Sequence, residues 1–313
     1  MRRVLVTTGN GMFGHALIDQ LVGRDDVQVR AMVRDRSKFT TTAPNLEVVE
    51  ADMDDPASLV GPVSDVTHIF LTSPMDDHIT TREVAVIDAA KAAGSPHVID
   101  IYGAVRHEGD RLDSMHVAAI DHLKGSGLPW TLVSPNSVME TSLGPYLEQL
   151  SMGAWMGVSG YGKVGMVALQ DVARVLATVV MSEGHESQNY ECTGPVAVDM
   201  PQIAATFADV LGKKIEYIDL PEDEFADMML KHGGYTDRGE LEINVLCHLR
   251  AWREGKADLV TDTVKQVTAT PPMSIRDWVQ ANKQRFSGKP SMGDRIAGIA
   301  MRAQYHKYIL APD

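Results

Sequence analysis

The sequence holds only two cysteines, Cys192 and Cys247, in 313 residues. Two are too few for a disulfide framework, and they lack the spacing of a zinc site. His78, His107 and His122 have no partners at ligand spacing either, so no metal is expected. Positive charge is also scarce, since 29 Lys and Arg against 42 Asp and Glu leave a formal net charge of -13. Nucleic-acid binders gain affinity from cationic contacts that release counterions, so a general polyanion-binding surface is excluded, although one nucleotide can still bind locally. No apolar run is long enough to span a bilayer, and Met1-Arg2-Arg3-Val4 enters a strand pattern without the apolar core of a signal peptide. A soluble cytoplasmic protein is expected, with no nucleic-acid and no membrane partner. Internal repeats are missing, and 44% hydrophobic with 23% charged residues is ordinary globular composition, so function must be read from local motifs.

What is present is an alternation of strands and helices. Apolar, β-branched runs predict strands at Arg3–Thr7, Val27–Val33, Leu46–Ala51, His68–Thr72, His97–Tyr102 and Trp130–Ser134. Helical spacing lies between them, notably over Thr81–Ala93 and His116–Lys124. Repeated strand–helix units imply an α/β fold with a Rossmann-like, doubly wound parallel sheet over residues 1–135, with returning segments around 160–195. From 136 to 286 the chain is expected to be a smaller, mostly helical substrate-binding part. Helices are predicted there over Asp199–Leu211, Pro221–His232, Arg238–Arg253 and Ser274–Phe286, with a strand at Lys214–Asp219. The Gly288–Ser291 stretch breaks the chain before an amphipathic tail, 287–313, whose Ile296, Ile299, Ala300 and Ala303 could pack on the second part or on another subunit.

The loop Thr8-Gly9-Asn10-Gly11-Met12-Phe13-Gly14 falls between the first strand and the first helix. Glycines there let a pyrophosphate approach backbone N–H groups and the positive end of the helix, and Gly14 lets helix and strand pack closely. NAD readers place an acidic residue after the second strand, whereas this chain reads Val33-Arg34-Asp35-Arg36-Ser37-Lys38. A guanidinium at Arg34 can pair with a 2′-phosphate, which favours NADP(H), while Asp35 keeps NAD(H) open. After the third strand, Asp52-Met53 can contact adenine, or Asp52 can cap the turn beginning near Pro56. Thr72-Ser73-Pro74 ends the fourth strand, where open α/β sheets hold ligands, and is expected to line the cofactor.

These residues, together with Ser126-Gly127-Leu128-Pro129-Trp130, Ser134-Pro135-Asn136, Gly160-Tyr161-Gly162-Lys163-Val164, Asp171-Val172-Ala173 and Tyr190-Glu191-Cys192-Thr193-Gly194-Pro195, make the chain resemble the NmrA-like family of atypical short-chain dehydrogenases. That group includes NADPH-dependent quinone and triphenylmethane reductases, isoflavone reductases and a redox-sensing regulator. The resemblance runs over roughly residues 3–285 and implies NAD(P)H binding. Two departures stand out. Thr8 takes the first position of the group's glycine pattern, so the loop fits only in the shifted Gly9, Gly11, Gly14 form. The Tyr-x-x-x-Lys pair of ordinary short-chain dehydrogenases is missing: Asp100-Ile101-Tyr102-Gly103 stands where their serine would be, and Met115-His116 where their tyrosine would be. The quinone and triphenylmethane reductases also place a histidine here, but follow it four residues on with an acidic residue, where this chain has Ile120.

Hydride delivery to a quinone, iminium or activated alkene needs mainly orientation and charge stabilisation from the protein. His116 or Tyr102 can supply the proton or hydrogen bond. Tyr102, Pro135 and Asn136 are expected beside the cofactor, and Met139, Trp155 and Lys163 around the substrate, with Met152 and Met156 adding soft apolar surface. The resulting expectation is an NAD(P)H-dependent reductase of a small aromatic or quinone-like molecule, monomeric or homodimeric. A cofactor-occupied sensor without turnover, or an isomerase or cyclase on the same fold, are the alternatives.

Overall fold

The computed structural model describes residues 1–105, 111–144, 150, 152–286 and 291–312. His107 and Gly288, named above, lie outside them. The apolar runs become strands β1 (Arg2–Val6), β2 (Val27–Val33), β3 (Leu46–Glu50), β4 (His68–Leu71), β5 (His97–Ile101) and β6 (Trp130–Pro135). After an excursion through β7 (Ala154–Gly157), the chain returns as β8 (Gln188–Cys192). Among the described residues these form a seven-stranded sheet in the order β3-β2-β1-β4-β5-β6-β8, with every neighbouring pair parallel. Central strands of such a sheet are covered on both faces, which is why Val4, Leu5 and Val6 are consecutive and all fully buried.

Helices α1 (Met12–Leu21), α2 (Ile79–Ala93), α3 (Arg111–Gly125) and α4 (Leu169–Met181) supply that cover, α1 with α4 on one face and α2 with α3 on the other. β2 and β4 flank β1 on opposite sides, so the winding reverses at the carboxyl ends of β1 and β4. A crevice at such a reversal is where open α/β sheets take their ligands.

Most of the described residues between 136 and 168 and beyond β8 build a second layer, although Val138, Val167 and Val264 pack with the sheet. That layer has helices α5 (Met200–Leu211), α6 (Glu222–His232), α7 (Cys247–Arg253), α8 (Ile275–Ala281) and α9 (Met292–Gln304). β9 (Glu216–Asp219) pairs in parallel with β7 and antiparallel with β10 (Ile309–Leu310). Its core is aromatic: Trp155 meets Phe207 and Tyr217 edge-on at 6.2 Å, and Phe207 meets Phe286 at 5.0 Å. Asp199 proves to be the cap of α5, in a reciprocal capping box with Gln202.

Two expected helices differ in detail. The Arg238–Arg253 segment passes through a π-helical turn at Glu242–Leu246 before α7. The Ser274–Phe286 segment breaks at Asn282, whose side chain donates to the Trp278 carbonyl at 2.9 Å, and restarts at Lys283–Phe286. The tail packs on its own chain, but not by the stripe expected: Ile296 and Ile299 are 61% and 63% exposed, and Gly298 is the buried contact. Among the described residues no helix is long and apolar enough to cross a membrane, and no group of three or more His, Cys, Asp or Glu is placed to hold a metal ion.

Candidate functional site

The glycine loop is folded by its own backbone. Gly9 N donates to Met32 O at 2.9 Å and Gly11 N to Thr8 O at 2.8 Å, drawing the turn against β2 before α1 begins. Gly14 lies in the first turn of α1, where a Cβ would stand 2.1 Å from the Thr8 carbonyl oxygen; only glycine lets the helix enter so close. No side chain caps α1 at Gly11, so its first N–H groups and positive dipole end are presented to the crevice. Thr8 thus serves as the pivot of the loop, and its replacement of a glycine costs the fold nothing visible.

A continuous cavity of about 1710 Å³ runs from this loop along the carboxyl edge of the sheet. A single small ligand usually occupies roughly 300–1,000 Å³, so the space accommodates a dinucleotide and a second molecule together. Thr8 to Phe13, Arg34, Asp52, Met53, Thr72, Ser73, Pro74, Tyr102, His116, Pro135 and Asn136 all line it. Gly14 does not, which agrees with its packing task.

At the β2 end, Arg34 is exposed at the cavity, and its guanidinium makes no hydrogen bond or ion pair among the described residues. Asp35, by contrast, is committed locally: it accepts from Ser37 N at 3.0 Å and Ser37 Oγ at 2.6 Å, and pairs with Lys38 at 3.4 Å. The Ser37 contacts hold its carboxyl below the usual range. Lys38 also lines the cavity, whereas Arg36 turns away to the Val48 carbonyl. Asp52 accepts from Asp54 N at 3.0 Å, and the cap of the Pro56 turn is Asp55 instead. Arg82, which the sequence did not single out, is nearly buried and clamps two loops. It donates twice to Asp54 and twice to Asp76 at 2.8–2.9 Å, directly beside the cavity.

Two buried carboxyls lie under the middle of the edge. Ser73 Oγ donates to Glu83 Oε1 at 2.7 Å, while Glu83 Oε2 and Asp100 Oδ1 have no hydrogen-bond partner among the described residues. Burial pushes the Glu83 carboxyl up to about 7, and burial together with the nearby Glu83 raises Asp100. Glu83 faces the cavity; Asp100 does not.

At the β5 end, Tyr102 donates its phenolic proton to Asp113 at 2.5 Å, and its ring lies 5.4 Å from that of His116. Asp113 and His116 sit three residues apart on α3, one turn of one face, and all three side chains line the cavity. Asp113 is the member that sequence reasoning missed. Asn136 is engaged in holding the fold: Nδ2 donates to Ala257 O at 3.0 Å and Oδ1 accepts from Ser137 N at 2.8 Å.

Of the substrate residues expected from sequence, Met152 and Met156 line this cavity, whereas Met139, Trp155 and Lys163 do not. Met139 is fully buried in the second core, and Val138 and Thr141 beside it face the cavity. Trp155 points into the aromatic core and Met156, its neighbour on β7, into the cavity, as alternation along a strand requires. Lys163 is exposed on a surface turn fastened by the Arg253–Asp219 ion pair and by Gly160 N donating to Asp219. The far end of the cavity is instead built from Met152, Met156, Met228, Met229 and Met301, with Tyr235, Trp252 and Tyr305. The π-helical turn contributes here, for Asn244 and Val245 from it and His248, Leu249 and Trp252 from α7 all reach the same wall.

A family model described as NAD(P)H-binding matches residues 9–183. The chain is 30% identical to quinone oxidoreductase 2 of Escherichia coli (strain K12) over 240 residues, 75% of this chain and 83% of that protein. It is 25% identical to the NAD(P)H azoreductase of Xenophilus azovorans over 289 residues, 90% of this chain and 99% of that one. The solved NADPH-dependent quinone oxidoreductase from Escherichia coli, complexed with NADPH, superposes with a TM-score of 0.80 at 25% identity, covering 89% of this chain and 99% of its own.

Proposed function

Because the chain belongs to the NAD(P)H-binding family, we propose that it is an NAD(P)H-dependent reductase of flat, conjugated acceptors such as quinones or azo compounds. The observation that carries this reading is the one cavity that joins the glycine loop and Arg34 at one end to a methionine-rich pocket at the other. Strand order sets the polarity of the ligand. Arg34 and Asp52 follow β2 and β3, whereas Tyr102 and Pro135 lie at the ends of β5 and β6, so the adenosine end belongs with the former and the reacting end with the latter.

Each group has a task. The loop N–H groups and the start of α1 hold the pyrophosphate. Arg34, with Lys38 beside it, meets a 2′-phosphate, and Asp35 is too engaged to compete for a ribose hydroxyl, which favours NADP(H) over NAD(H). The bound nicotinamide supplies a hydride. Tyr102 has committed its one O–H to Asp113, so protonation of the reduced acceptor falls to His116, with Tyr102 and Asp113 positioning its ring. Hydride plus one proton completes a two-electron reduction of a quinone or an alkene, leaving the oxidised cofactor. The methionines receive the flat acceptor, since thioethers adapt to ring faces and edges.

The test is steady-state oxidation of NADPH with a panel of quinones, enones and azo dyes. Turnover with at least one class, abolished when both NADPH and NADH are withheld, supports the reading. Tight NADPH binding without turnover of any acceptor would favour a sensor instead.

A further inference from the structure

The tail does more than end the chain. One face of α9, carrying Ala297, Ala300, Met301 and Gln304, and Tyr305 just after it, lines the methionine-rich end of the cavity. Their spacing of three and four residues places them on a single stripe.

The helix is fastened rather than loosely laid. Gly298 packs so tightly that a Cβ there would lie 2.1 Å from the Met152 carbonyl oxygen. One turn on, Arg302 Nη1 donates to that same carbonyl at 2.7 Å, and Arg302 Nε lies 3.7 Å from Glu216. Beyond it β10 pairs with β9, Ile309 opposite Ile218 and Leu310 opposite Tyr217. Met152, whose carbonyl is the anchoring point, and Met156 on β7 are themselves cavity residues. The position of α9 is therefore set by a segment that itself lines the cavity.

We propose that α9 is the specificity wall of the acceptor subsite, fixing the length of conjugated ring system that fits beyond the reacting end. The inference rests on the reductase reading for its substrate class. Ala297 and Ala300 add little bulk to this wall, Met301 offers it a soft face, and Gln304 and Tyr305 bring hydrogen-bonding groups to it. Such a wall admits fused two-ring acceptors, and bulk added to it penalises these before single-ring ones.

The experiment compares the full-length protein with Ala300→Phe, and with Ala297→Leu as a second placement of bulk on the same wall. Binding of NADP⁺ is measured by calorimetry, and binding of anilinonaphthalenesulfonate, a redox-inert aromatic probe, by fluorescence with NADP⁺ bound. The ratio of kcat/KM for a naphthoquinone to that for benzoquinone is then taken. The wall predicts unchanged NADP⁺ affinity, probe affinity lower by about tenfold, and a ratio shifted by about tenfold toward benzoquinone. Unchanged probe affinity and an unchanged ratio in both variants would overturn it. A wild-type protein that binds NADPH yet reduces neither quinone contradicts the reductase reading alone, and the probe still decides the wall.

Discussion

Tyr102 hands its only hydroxyl proton to Asp113, at 2.5 Å, within ring contact of His116. The phenol of an ordinary short-chain dehydrogenase is itself the acid. Here the phenol stands at the serine's place with its proton tied to a carboxylate, and the proposed reduction takes its proton from the imidazole at the tyrosine's place. His116→Ala should lower kcat by roughly a hundredfold with NADPH affinity unchanged. Asp113→Asn should produce a smaller loss, because it misplaces Tyr102 without removing the donor. Equal activity of His116→Ala and wild type in NADPH oxidation assays removes His116 from the reaction.

Arg34 stands uncommitted at the cavity while Asp35 is tied to Ser37 and Lys38. Arg34→Ala should therefore weaken NADPH by about 10–100-fold and leave NADH nearly unaffected, as loss of a charge-assisted pair to a phosphate requires. Calorimetry with both cofactors reads this directly. Equal losses would place the 2′-phosphate elsewhere.

Glu83 links stability to pH. Folding raises its carboxyl from 4.5 to about 7 by burial, so the unfolded chain ionises first as pH rises. Its contribution is fully present below about pH 4.5 and is lost as pH climbs through about 7. Glu83→Gln removes that penalty and offers an amide donor to the unpartnered oxygen environment around Asp100. Urea denaturation should find the variant more stable than wild type at pH 8, by on the order of 3 kcal/mol, with the difference shrinking toward pH 5. A pH-independent difference would show that Glu83 is ionised throughout.

Arg82 joins the loop after β3 to the loop after β4 through four charge-assisted hydrogen bonds. Arg82→Ala should lower Tm and weaken nucleotide by about tenfold, because both loops line the adenosine end. Arg82→Lys cannot reproduce the two-nitrogen fork to Asp54 while also holding Asp76, and should fall between. Wild-type affinity in Arg82→Ala would mean that the loops hold their shape unaided.

The sheet was legible because its central strands are short unbroken apolar runs, and the nucleotide loop because glycines stand between a strand and a helix. β8 was harder to see: Gln188–Cys192 is polar, with only Cys192 fully buried, and its place beside β6 is decided by packing. Asp113, Glu83 and Arg82 are ordinary helix charges in sequence, and only the fold aims them at one crevice. Met139 and Trp155 illustrate the opposite error. Periodicity identifies an apolar position, yet a core and a ligand cavity demand the same residue types, so Trp155 went to the core and its neighbour Met156 to the cavity. Of the tail's expected stripe, Ala300 reaches the cavity while Ile296 and Ile299 stay exposed, because close approach to Met152 needs Gly298.

The central claim is that one cavity holds both a nicotinamide dinucleotide and a conjugated acceptor. Stopped-flow mixing of the protein–NADPH complex with a naphthoquinone, followed by nicotinamide absorbance, tests it most directly. The account predicts single-turnover loss of the reduced-nicotinamide signal that is fast in wild type and slowed roughly a hundredfold in His116→Ala. Bound NADPH that keeps its absorbance in the presence of every acceptor tried would contradict it.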